Sequence, residues 1–270
     1  MIRGLDASSV QGLIPFGSLD PSIRFAILKA QEGNDGFDPL FARNMRGALK
    51  AGLHAYAYVF AYPIQNNGPM TSGYRYGRDP REQAKLCVDR VHAFPEMRGL
   101  PIFADLEWPE PTKWKDWGLT ARSISEWCRV FCEEVALLSG AQPILYTYPH
   151  WWQSLSAADV SWASRYALWL ASYPERNRWP TEAERPPVPK PWNDWLFWQF
   201  DGNGGMTLPS GVDSDFCVFN GDEDALAALR MPVTLPPPAP ANDNEPATID
   251  GGTVHPRVIW DDEPEPPDAA

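Results

Sequence analysis

Eight apolar segments of strand length recur between residues 2 and 219, and they constrain the fold more than any other feature. Helical patterns lie between several of them, an alternation typical of parallel strands joined by crossover helices. Eight strands can close a barrel, and some connections are too short for full helices. We therefore expect an α/β protein with an irregular, TIM-like β/α barrel. The segments are 2–6, 25–30, 54–62, 100–107, 143–148, 166–172, 195–200 and 214–219.

Three of the intervening segments carry helix signals. Residues 39–51 and 120–139 place apolar side chains at helical spacing, and Gly140 follows the second of them as a stop. Residues 79–92 begin with an Asp-Pro pair, which is typical of a helix N-terminus. These segments predict three helices of an incomplete ring around the barrel.

Polar side chains fall where the predicted strands end, which in a β/α barrel is the rim that carries catalytic residues. Asp105 and Glu107 lie at the end of the fourth strand and, two positions apart, point the same way. Two such neighbours raise the pKa of at least one of them, which gives the protonated acid and ionised partner that glycoside hydrolysis needs. An isolated D-x-E is more often a surface pair, so the convergence of many residues matters. The others predicted on this rim are Asp6, Gln31, Glu32, Tyr58, Phe60, Tyr62, Tyr146, Tyr148, Trp198, Gln199, Asp213 and Asp215.

The tryptophans support a sugar-binding cleft. The chain has 13 of them, and 12 lie between Trp108 and Trp198. Indole rings stack on the apolar faces of sugars, although about half of these residues are expected to be packing residues. Trp108, Trp151 and Trp152 are near predicted strand ends or in rim loops, which makes them better candidates for sugar contact than the others.

The composition excludes several classes of protein. A formal net charge of -12 argues against nucleic acid as a partner. No run reaches the ~18 apolar residues of a membrane span. The N-terminus lacks a secretory pattern, so we expect synthesis in the cytoplasm. Cys87, Cys128, Cys132 and Cys217 form no C-x-x-C pair, which predicts reduced core thiols and no metal site.

The composition changes near residue 231. Residues 232–270 contain ten prolines, eight acidic residues and one basic residue. Such a stretch cannot bury enough apolar surface to fold, so we predict a catalytic barrel over 1–231 and a disordered acidic tail over 232–270. Residues 258–260 of the tail could dock a partner, although an incidental apolar patch is the favoured interpretation. The expected oligomeric state is a monomer.

An ordered set of short motifs resembles glycoside hydrolase family 25, the Chalaropsis-type lysozymes. The family's opening G-[IL]-D-x-S-x-x-Q-G is similar to residues 4–12, GLDASSVQG, and its K-A-[ST]-E-G to residues 29–33, KAQEG. Its L-P-x-x-x-D-x-E is similar to residues 100–107, LPIFADLE, and its closing G-x-V-D to residues 211–213, GVD. Stretches resembling the family's later strands follow in order at 144–147, 168–173 and 198–200.

The resemblance implies a hydrolase that cleaves the β-1,4 bond between N-acetylmuramic acid and N-acetylglucosamine in bacterial peptidoglycan. It implies Glu107 as general acid and Asp105 as a partner that stabilises an intermediate formed by the sugar's acetamido group. Asp6 and Asp213 would complete the acidic floor, with no metal or cofactor. Glu32 either contacts substrate or pairs with a basic residue such as Lys29 or Arg3. The remaining implied substrate contacts are Tyr58, Tyr146, Trp198, Gln199 and Trp108.

The chain departs from the family pattern at two positions. Val59 stands where the third strand usually has His, and Gln31 stands where Ser or Thr is usual. The segments 64–77 and 174–191 are long, and each is expected to be either a wall or lid of the groove or surface decoration.

Two other functions stay open from the sequence. One is a non-catalytic glycan-binding protein on the same barrel, and the other is a hydrolase of another amino-sugar polymer such as chitin. The missing secretory pattern and wall-binding module predict a phage or prophage endolysin that reaches the wall after release from the host cytoplasm. A virion-associated lysin is the variant of that prediction.

Overall fold

A computed structural model describes residues 1–34, 36–63, 79–174, 178–202, 205–208, 211 and 214–229. The chain divides into two units, Met1–Leu235 and Pro236–Ala270, and every described residue belongs to the first. The predicted tail over 232–270 and the long segment 64–77 lie outside the described residues. Their structure, and the domain boundary at 231, stay predictions.

Eight strands close into a barrel, which confirms the predicted fold class. Nine strands are described, and all but β3 belong to the barrel: β1 Ile2–Ala7, β2 Ile23–Glu32, β3 Gly36–Phe37, β4 His54–Phe60, β5 Phe103–Asp105, β6 Ile144–Thr147, β7 Ala167–Ala171, β8 Phe197–Asp201 and β9 Asp215–Phe219. Around the barrel the order is β1, β2, β4, β5, β6, β7, β8 and β9, and β9 pairs back with β1. The short β3 forms a hairpin with β2.

The closing strand runs against the others. Neighbouring barrel strands pair in parallel from β1 around to β8. Strand β9 is antiparallel to both of its neighbours, β8 and β1. The predicted parallel pairing is therefore wrong for β9, because a short buried strand has the same apolar pattern in either direction. As a result Asp215, the first residue of β9, lies opposite Asp6.

Aromatic rings fill the barrel interior. Phe25 and Phe103 each lie 5.2 Å, centroid to centroid, from Phe197, and Phe219 lies 5.0 Å from it. Ring pairs of this kind contribute about 0.5–1.5 kcal/mol each beyond the burial of their surface. A Cβ atom at Gly4 would approach the Phe25 ring to 2.4 Å, so β1 needs glycine there to admit that ring.

Five helices are described: α1 Phe41–Lys50, α2 Pro80–His92, α3 Ala121–Ser139, α4 Pro149–Gln153 and α5 Glu223–Ala228. The Asp79 side chain caps α2 by accepting from the backbone N–H of Arg81 at 2.8 Å, and α3 stops at Gly140, whose φ of 73° suits glycine. The three predicted helices are confirmed, whereas α4 and α5 are too short for periodicity to reveal them. None of these described helices is long and apolar enough to cross a membrane.

Helix α5 covers the barrel end where β1 and β4 begin. Phe219, at the end of β9, pairs with Ile2, so the chain emerges from the sheet at that end. The hydroxyl of Tyr56, near the start of β4, donates to the backbone carbonyl of Leu226 at 3.2 Å, and Leu226 is fully buried. The acidic rim therefore lies at the opposite end from α5.

Candidate active site

The ends of β1 and β5 bring three carboxyl groups into one cluster. Asp6 is the penultimate residue of β1, Asp105 ends β5, and Glu107 follows two residues later. The backbone N–H of Leu106 donates to the carbonyl of Tyr146 at 2.9 Å, so strand pairing continues beyond β5 and fixes the approach of Glu107. Burial, then the charges of Glu107 and Asp6, raise the pKa of Asp105 well above its usual range. Three of the four predicted catalytic acids therefore lie together.

Glu107 and Asp105 have complementary properties. Burial raises the pKa of Glu107 to about 7, with Lys29 lowering it and Glu110 raising it. Asp105 is 5% exposed, and its Oδ1 has no hydrogen-bond partner among the described residues. A buried acceptor without a partner is costly unless a ligand supplies the donor. The pair can therefore donate a proton from Glu107 and accept a ligand hydrogen bond at Asp105.

Asp6, by contrast, is enclosed by protein donors. Nε2 of Gln199 donates to its Oδ2 at 2.8 Å, and the Cys217 thiol donates to the same oxygen at 3.1 Å. The hydroxyl of Ser214 donates to the Asp6 backbone carbonyl at 3.2 Å. Burial, followed by the charge of Asp215, nevertheless raises the pKa of Asp6 well above its usual range. Asp6 is thus a firmly held acid with a tendency to stay protonated.

Asp215 is the described acid that faces Asp6 across the closing strand pair. The two are partners in the antiparallel ladder, where directly opposite residues project from the same face. Asp213, which the sequence predicted for the floor, lies outside the described residues, so its role stays a prediction. The sequence placed Asp215 on the rim but did not select it.

Two predicted substrate-binding phenols line the site. Tyr58 and Tyr146 pack against the Trp169 ring at centroid distances of 6.0 and 4.5 Å. Burial, then nearby carboxylates, raise the pKa of both phenols well above the usual value, so both stay protonated. The Tyr146 hydroxyl donates to Oε1 of Gln199 at 2.9 Å. Gln199, also a predicted substrate contact, therefore uses both ends of its amide on protein groups, since Nε2 is bonded to Asp6.

An open cavity of about 430 Å³ adjoins Glu107, a volume typical of small-ligand sites. Tyr173, which the sequence did not single out, borders it and donates to Oε1 of Gln199 at 2.6 Å. A Cβ atom at Gly202 would lie 2.7 Å from this hydroxyl, so the glycine makes room for it. Burial, then Glu110 and Glu107, raise the pKa of Tyr148 to about 12. The lining residues are Glu107, Tyr148, Pro149, His150, Ala171 and Tyr173.

Glu32 is held by protein groups at the edge of the cluster. Lys29 donates to one of its carboxylate oxygens and the Tyr62 hydroxyl donates to the other. Burial by itself would raise the pKa of Glu32, but the hydrogen bonds from Lys29 and Tyr62 have the larger combined effect, so its pKa is lowered. Of the two predicted interpretations, the structure contains the ion pair with Lys29.

The tryptophans near the rim differ in exposure. Trp108 is partly exposed, and its ring lies 5.1 Å from that of Trp117, which is also partly exposed. Trp151 and Trp152, candidates for sugar contact from the sequence, are 0% and 2% exposed, and the Trp151 indole donates to the Pro109 carbonyl at 2.9 Å. Trp108 can therefore meet a ligand, whereas Trp151 and Trp152 are packing residues.

Trp198 does not join the cluster. Along β8, Phe197 faces the barrel interior and Gln199 reaches Asp6, so the alternating position of Trp198 faces outward. Its ring lies 6.2 Å from that of Phe200, and its indole donates to the Ser172 carbonyl at 2.7 Å. The sequence prediction that Trp198 shapes the sugar pocket is not supported, because residues one apart on a strand occupy opposite faces.

The cysteines match the expectation of buried, unpaired thiols. Cys87, Cys128, Cys132 and Cys217 are all free and buried, and burial raises the pKa of each. Across the part of the chain that the structure describes, no group of three or more His, Cys, Asp or Glu side chains is placed to hold a metal ion.

The family assignment follows from a match that covers the barrel from β1 to β8. The sequence model described as Glycosyl hydrolases family 25 matches residues 5–207, a span that contains Asp6, Asp105 and Glu107. The chain is a family 25 glycosyl hydrolase. The resemblance noted from the motifs is thereby confirmed, and the chain is an enzyme of the glycoside hydrolase class.

Curated relatives of this family 25 hydrolase are 28–29% identical to it over the aligned residues. Lysozyme M1 of Streptomyces globisporus is 28% identical over 229 residues, covering 84% of this chain and 71% of the relative. The N,O-diacetylmuramidase of Chalaropsis is 29% identical over 175 residues, covering 63% and 77%.

Solved structures of similar proteins contain the same barrel. A bacterial lysozyme from Streptomyces coelicolor matches this family 25 hydrolase with a TM-score of 0.66 and 25% identity, covering 85% of this chain and 96% of the other. A muramidase from Trichobolus zukalii matches with a TM-score of 0.65 and 28% identity, covering 85% and 99%.

Proposed function

We propose that this family 25 hydrolase cleaves the β-1,4 bond between N-acetylmuramic acid and N-acetylglucosamine in bacterial peptidoglycan. One observation carries the proposal: Glu107, with a pKa raised to about 7, adjoins a buried Asp105 that keeps one oxygen unpartnered. Family membership supports the reaction class, and the relatives named as a lysozyme and an N,O-diacetylmuramidase support the substrate.

Glu107 is the general acid in this proposal. With a pKa of about 7 it still holds a proton in roughly half of the molecules at neutral pH, and it can deliver that proton to the glycosidic oxygen as the bond breaks. General acid catalysis of this kind contributes about 10²–10⁴-fold to the rate. After the leaving sugar departs, the ionised Glu107 can take a proton from the attacking water.

Asp105 is the partner carboxyl group. Its unpartnered Oδ1 is placed to accept the N–H of a sugar acetamido group, whose carbonyl oxygen then bonds to the anomeric carbon as the glycosidic bond breaks. The resulting positive charge is stabilised by the negative charge that Asp105 carries when it is ionised. Lys29 lowers the pKa of Asp105, against the larger effects of burial and of the Glu107 charge, which raise it. Water opens the intermediate and restores the acetamido group, so the enzyme ends unchanged.

Neutral aromatic groups complete the cleft. The phenol of Tyr58 stays protonated, and the partly exposed rings of Trp108 and Trp117 offer flat apolar surface to a sugar. Peptidoglycan lies outside the cytoplasmic membrane, so the enzyme acts there in this proposal.

The biological origin stays a prediction. We propose a phage or prophage endolysin, or a virion-associated lysin, that reaches the wall after release from the host cytoplasm. Tagged protein recovered outside intact cells that lack any lysis partner would contradict the endolysin origin. The monomeric state and a docking role for residues 258–260 are likewise predictions.

The proposed reaction is tested by the sugar at the new reducing end. Purified peptidoglycan is digested with the wild type, with Glu107→Gln, and with Glu82→Gln as a control that alters an exposed acid on α2. Products are reduced with borohydride and identified by mass spectrometry. Muramitol from the wild type and the control, at least about 10²-fold more than from Glu107→Gln, is the expected result.

Other outcomes separate the competing functions. Glucosaminitol in place of muramitol would contradict the bond assignment. No new reducing end from any of the three folded proteins would favour the non-catalytic glycan-binding protein.

A further inference from the structure

A hydrogen-bond chain in the cleft floor has no part in the reaction steps above. Tyr146 and Tyr173 both donate to Oε1 of Gln199, at 2.9 and 2.6 Å. An amide oxygen has two lone pairs and accepts both hydroxyls, so the amide nitrogen must face away from them. Nε2 accordingly donates to Oδ2 of Asp6 at 2.8 Å. The two phenols therefore fix the direction in which the Gln199 amide points.

Cys217 supplies a second donor to the same oxygen of Asp6. Its Sγ lies 3.1 Å from Oδ2, and burial raises the pKa of the thiol well above the usual value, so the donated hydrogen is retained. The strand register explains the contact. Cys217 lies opposite Gly4 in the strand ladder, and Gly4 is two residues before Asp6 on β1. The side chains of Cys217 and Asp6 therefore project from the same face of the sheet. Gly4 places no side chain between them.

We propose that Gln199 and Cys217 are positioning residues that reserve Oδ2 of Asp6 as a hydrogen-bond acceptor, which leaves Oδ1 to carry its proton. An oxygen that already accepts two hydrogen bonds is a poor site for a proton of its own. Asp215 is the partner of Asp6 across the strand ladder. Two carboxyl groups this close resist double ionisation, so one of the two, Asp6 or Asp215, tends to stay protonated.

The arrangement changes what Asp6 does in the proposed reaction, on which this inference rests. With its proton held on Oδ1, Asp6 is a hydrogen-bond donor to an oxygen of the substrate and not a further anion beside Glu107. A negative charge on Asp6 would raise the pKa of Glu107 further, because the two carboxyl groups interact. A neutral Asp6 removes that effect on Glu107.

The test is a cysteine series in the full-length protein. Cys217→Ser keeps a hydrogen-bond donor, whereas Cys217→Val removes the donor and keeps the bulk. Cys87→Val is the matched control, since Cys87 is equally buried but lies on α2. The pKa of the Asp6 carboxyl is measured by ¹³C NMR, with Asp6→Asn identifying its signal, and kcat and KM are measured on peptidoglycan.

The expected result is a split between the two Cys217 variants. In Cys217→Val the pKa of Asp6 rises by about one unit and kcat falls about tenfold, with KM within about twofold of the wild type. Cys217→Ser and Cys87→Val stay close to the wild type in both readouts. A purely structural role for Cys217 would leave the Asp6 titration unmoved, and that outcome in folded Cys217→Val would overturn the proposal. Equal loss of kcat in the serine and valine variants would also overturn it.

The phenols give an independent measurement. Tyr146→Phe and Tyr173→Phe each leave one hydroxyl on Gln199, so each should shift the Asp6 pKa little. The double variant frees the amide to turn, and its shift should exceed the sum of the single shifts. Simple additivity would contradict the fixed amide. If the series behaves as expected but the wild type releases no muramic acid ends, the proposed reaction fails and the positioning of Asp6 stands.

Discussion

The two sides of the cleft hold their acids in opposite ways. On the side formed by β1, β8 and β9, Asp6 receives hydrogen bonds from Gln199 and Cys217 on one oxygen. On the β5 side, Asp105 is equally buried but leaves Oδ1 without a partner among the described residues. Protein groups occupy Oδ2 of Asp6, whereas Oδ1 of Asp105 is left for a ligand. Burial alone therefore does not identify the oxygen that meets substrate, whereas unsatisfied hydrogen-bonding capacity does.

Strand direction accounts for this difference. The antiparallel β9 starts at the rim, so its first residues bring Asp215 and Cys217 to the floor beside Asp6. Strand β5 is three residues long and lies between parallel neighbours that end at the same rim. Asp105 therefore lies where the strand stops, with fewer facing side chains to bond to it.

The largest effect should come from neutralising the two acids with matched amides. Asp105→Asn should lower kcat about 10²–10³-fold without lowering Tm, because it removes a stabilising charge but breaks no protein hydrogen bond on Oδ1. Asp6→Asn should cost only about tenfold, because an amide reproduces one acceptor oxygen and one donor. Both are measured by peptidoglycan turnover and thermal unfolding. Equal losses, or a lower Tm in Asp105→Asn, would remove the contrast between the two sides.

The β5 side should also control the pH dependence. Because Glu107 must be protonated and its pKa is raised to about 7, kcat should fall about tenfold per pH unit above pH 7. Because Asp105 must be ionised and its pKa is raised well above the usual range, kcat should also fall on the acid side. Glu110 raises the pKa of Glu107 and Lys29 lowers it. The alkaline limb should therefore move to lower pH in Glu110→Gln and to higher pH in Lys29→Met. The profile is measured as initial rates at saturating substrate. An alkaline limb that does not move in either variant would show that a group other than Glu107 controls it.

Two tryptophans provide a smaller effect and a paired control. Trp108→Ala should raise KM about 3–10-fold with a modest change in kcat, since a partly exposed ring next to Glu107 in the chain can stack on sugar. Trp198→Phe should leave KM within about twofold and lower the free energy of unfolding by about 1–3 kcal/mol, because that ring is buried packing. KM is measured by the turnover of soluble glycan fragments, and the free energy of unfolding is measured by chemical denaturation. A raised KM in Trp198→Phe alone would reverse the assignment.

The smallest effect should come from Glu32→Gln. The side chain is paired with Lys29 and Tyr62 and lies at the edge of the cluster, so kcat should stay within about twofold. Loss of this partly exposed pair should lower the free energy of unfolding by about 0.5–1 kcal/mol. A tenfold loss of activity with unchanged stability would instead make Glu32 a substrate contact.

Much of the fold was predictable because apolar runs and caps are local signals. All eight predicted barrel strands are present within a few residues, and the D-x-E run lies at the rim as expected. Asp79 and Gly140 bound α2 and α3 as their residue types suggest. Side chains alternate between the two faces of a strand, so Trp198 and Gln199 could not both face the site. The prediction that both contact substrate overlooked this alternation.

The remaining features depend on register between distant strands. Nothing local to β9 reveals that it runs antiparallel, so the register that places Asp215 opposite Asp6 could not be predicted from spacing. The thiol of Cys217 becomes a partner of Asp6 only through that register. The hydroxyl of Tyr173 reaches Gln199 only because Gly202 leaves space for it.

The position of α5 has a practical consequence. Leu229, the last residue described, follows a helix that covers the barrel end opposite the acids. Protein anchored to a bead or sensor chip through a linker fused beyond this point would present its cleft to the liquid. Suspended cell-wall fragments, which are too large to diffuse beneath an immobilised layer, would then meet the open face first.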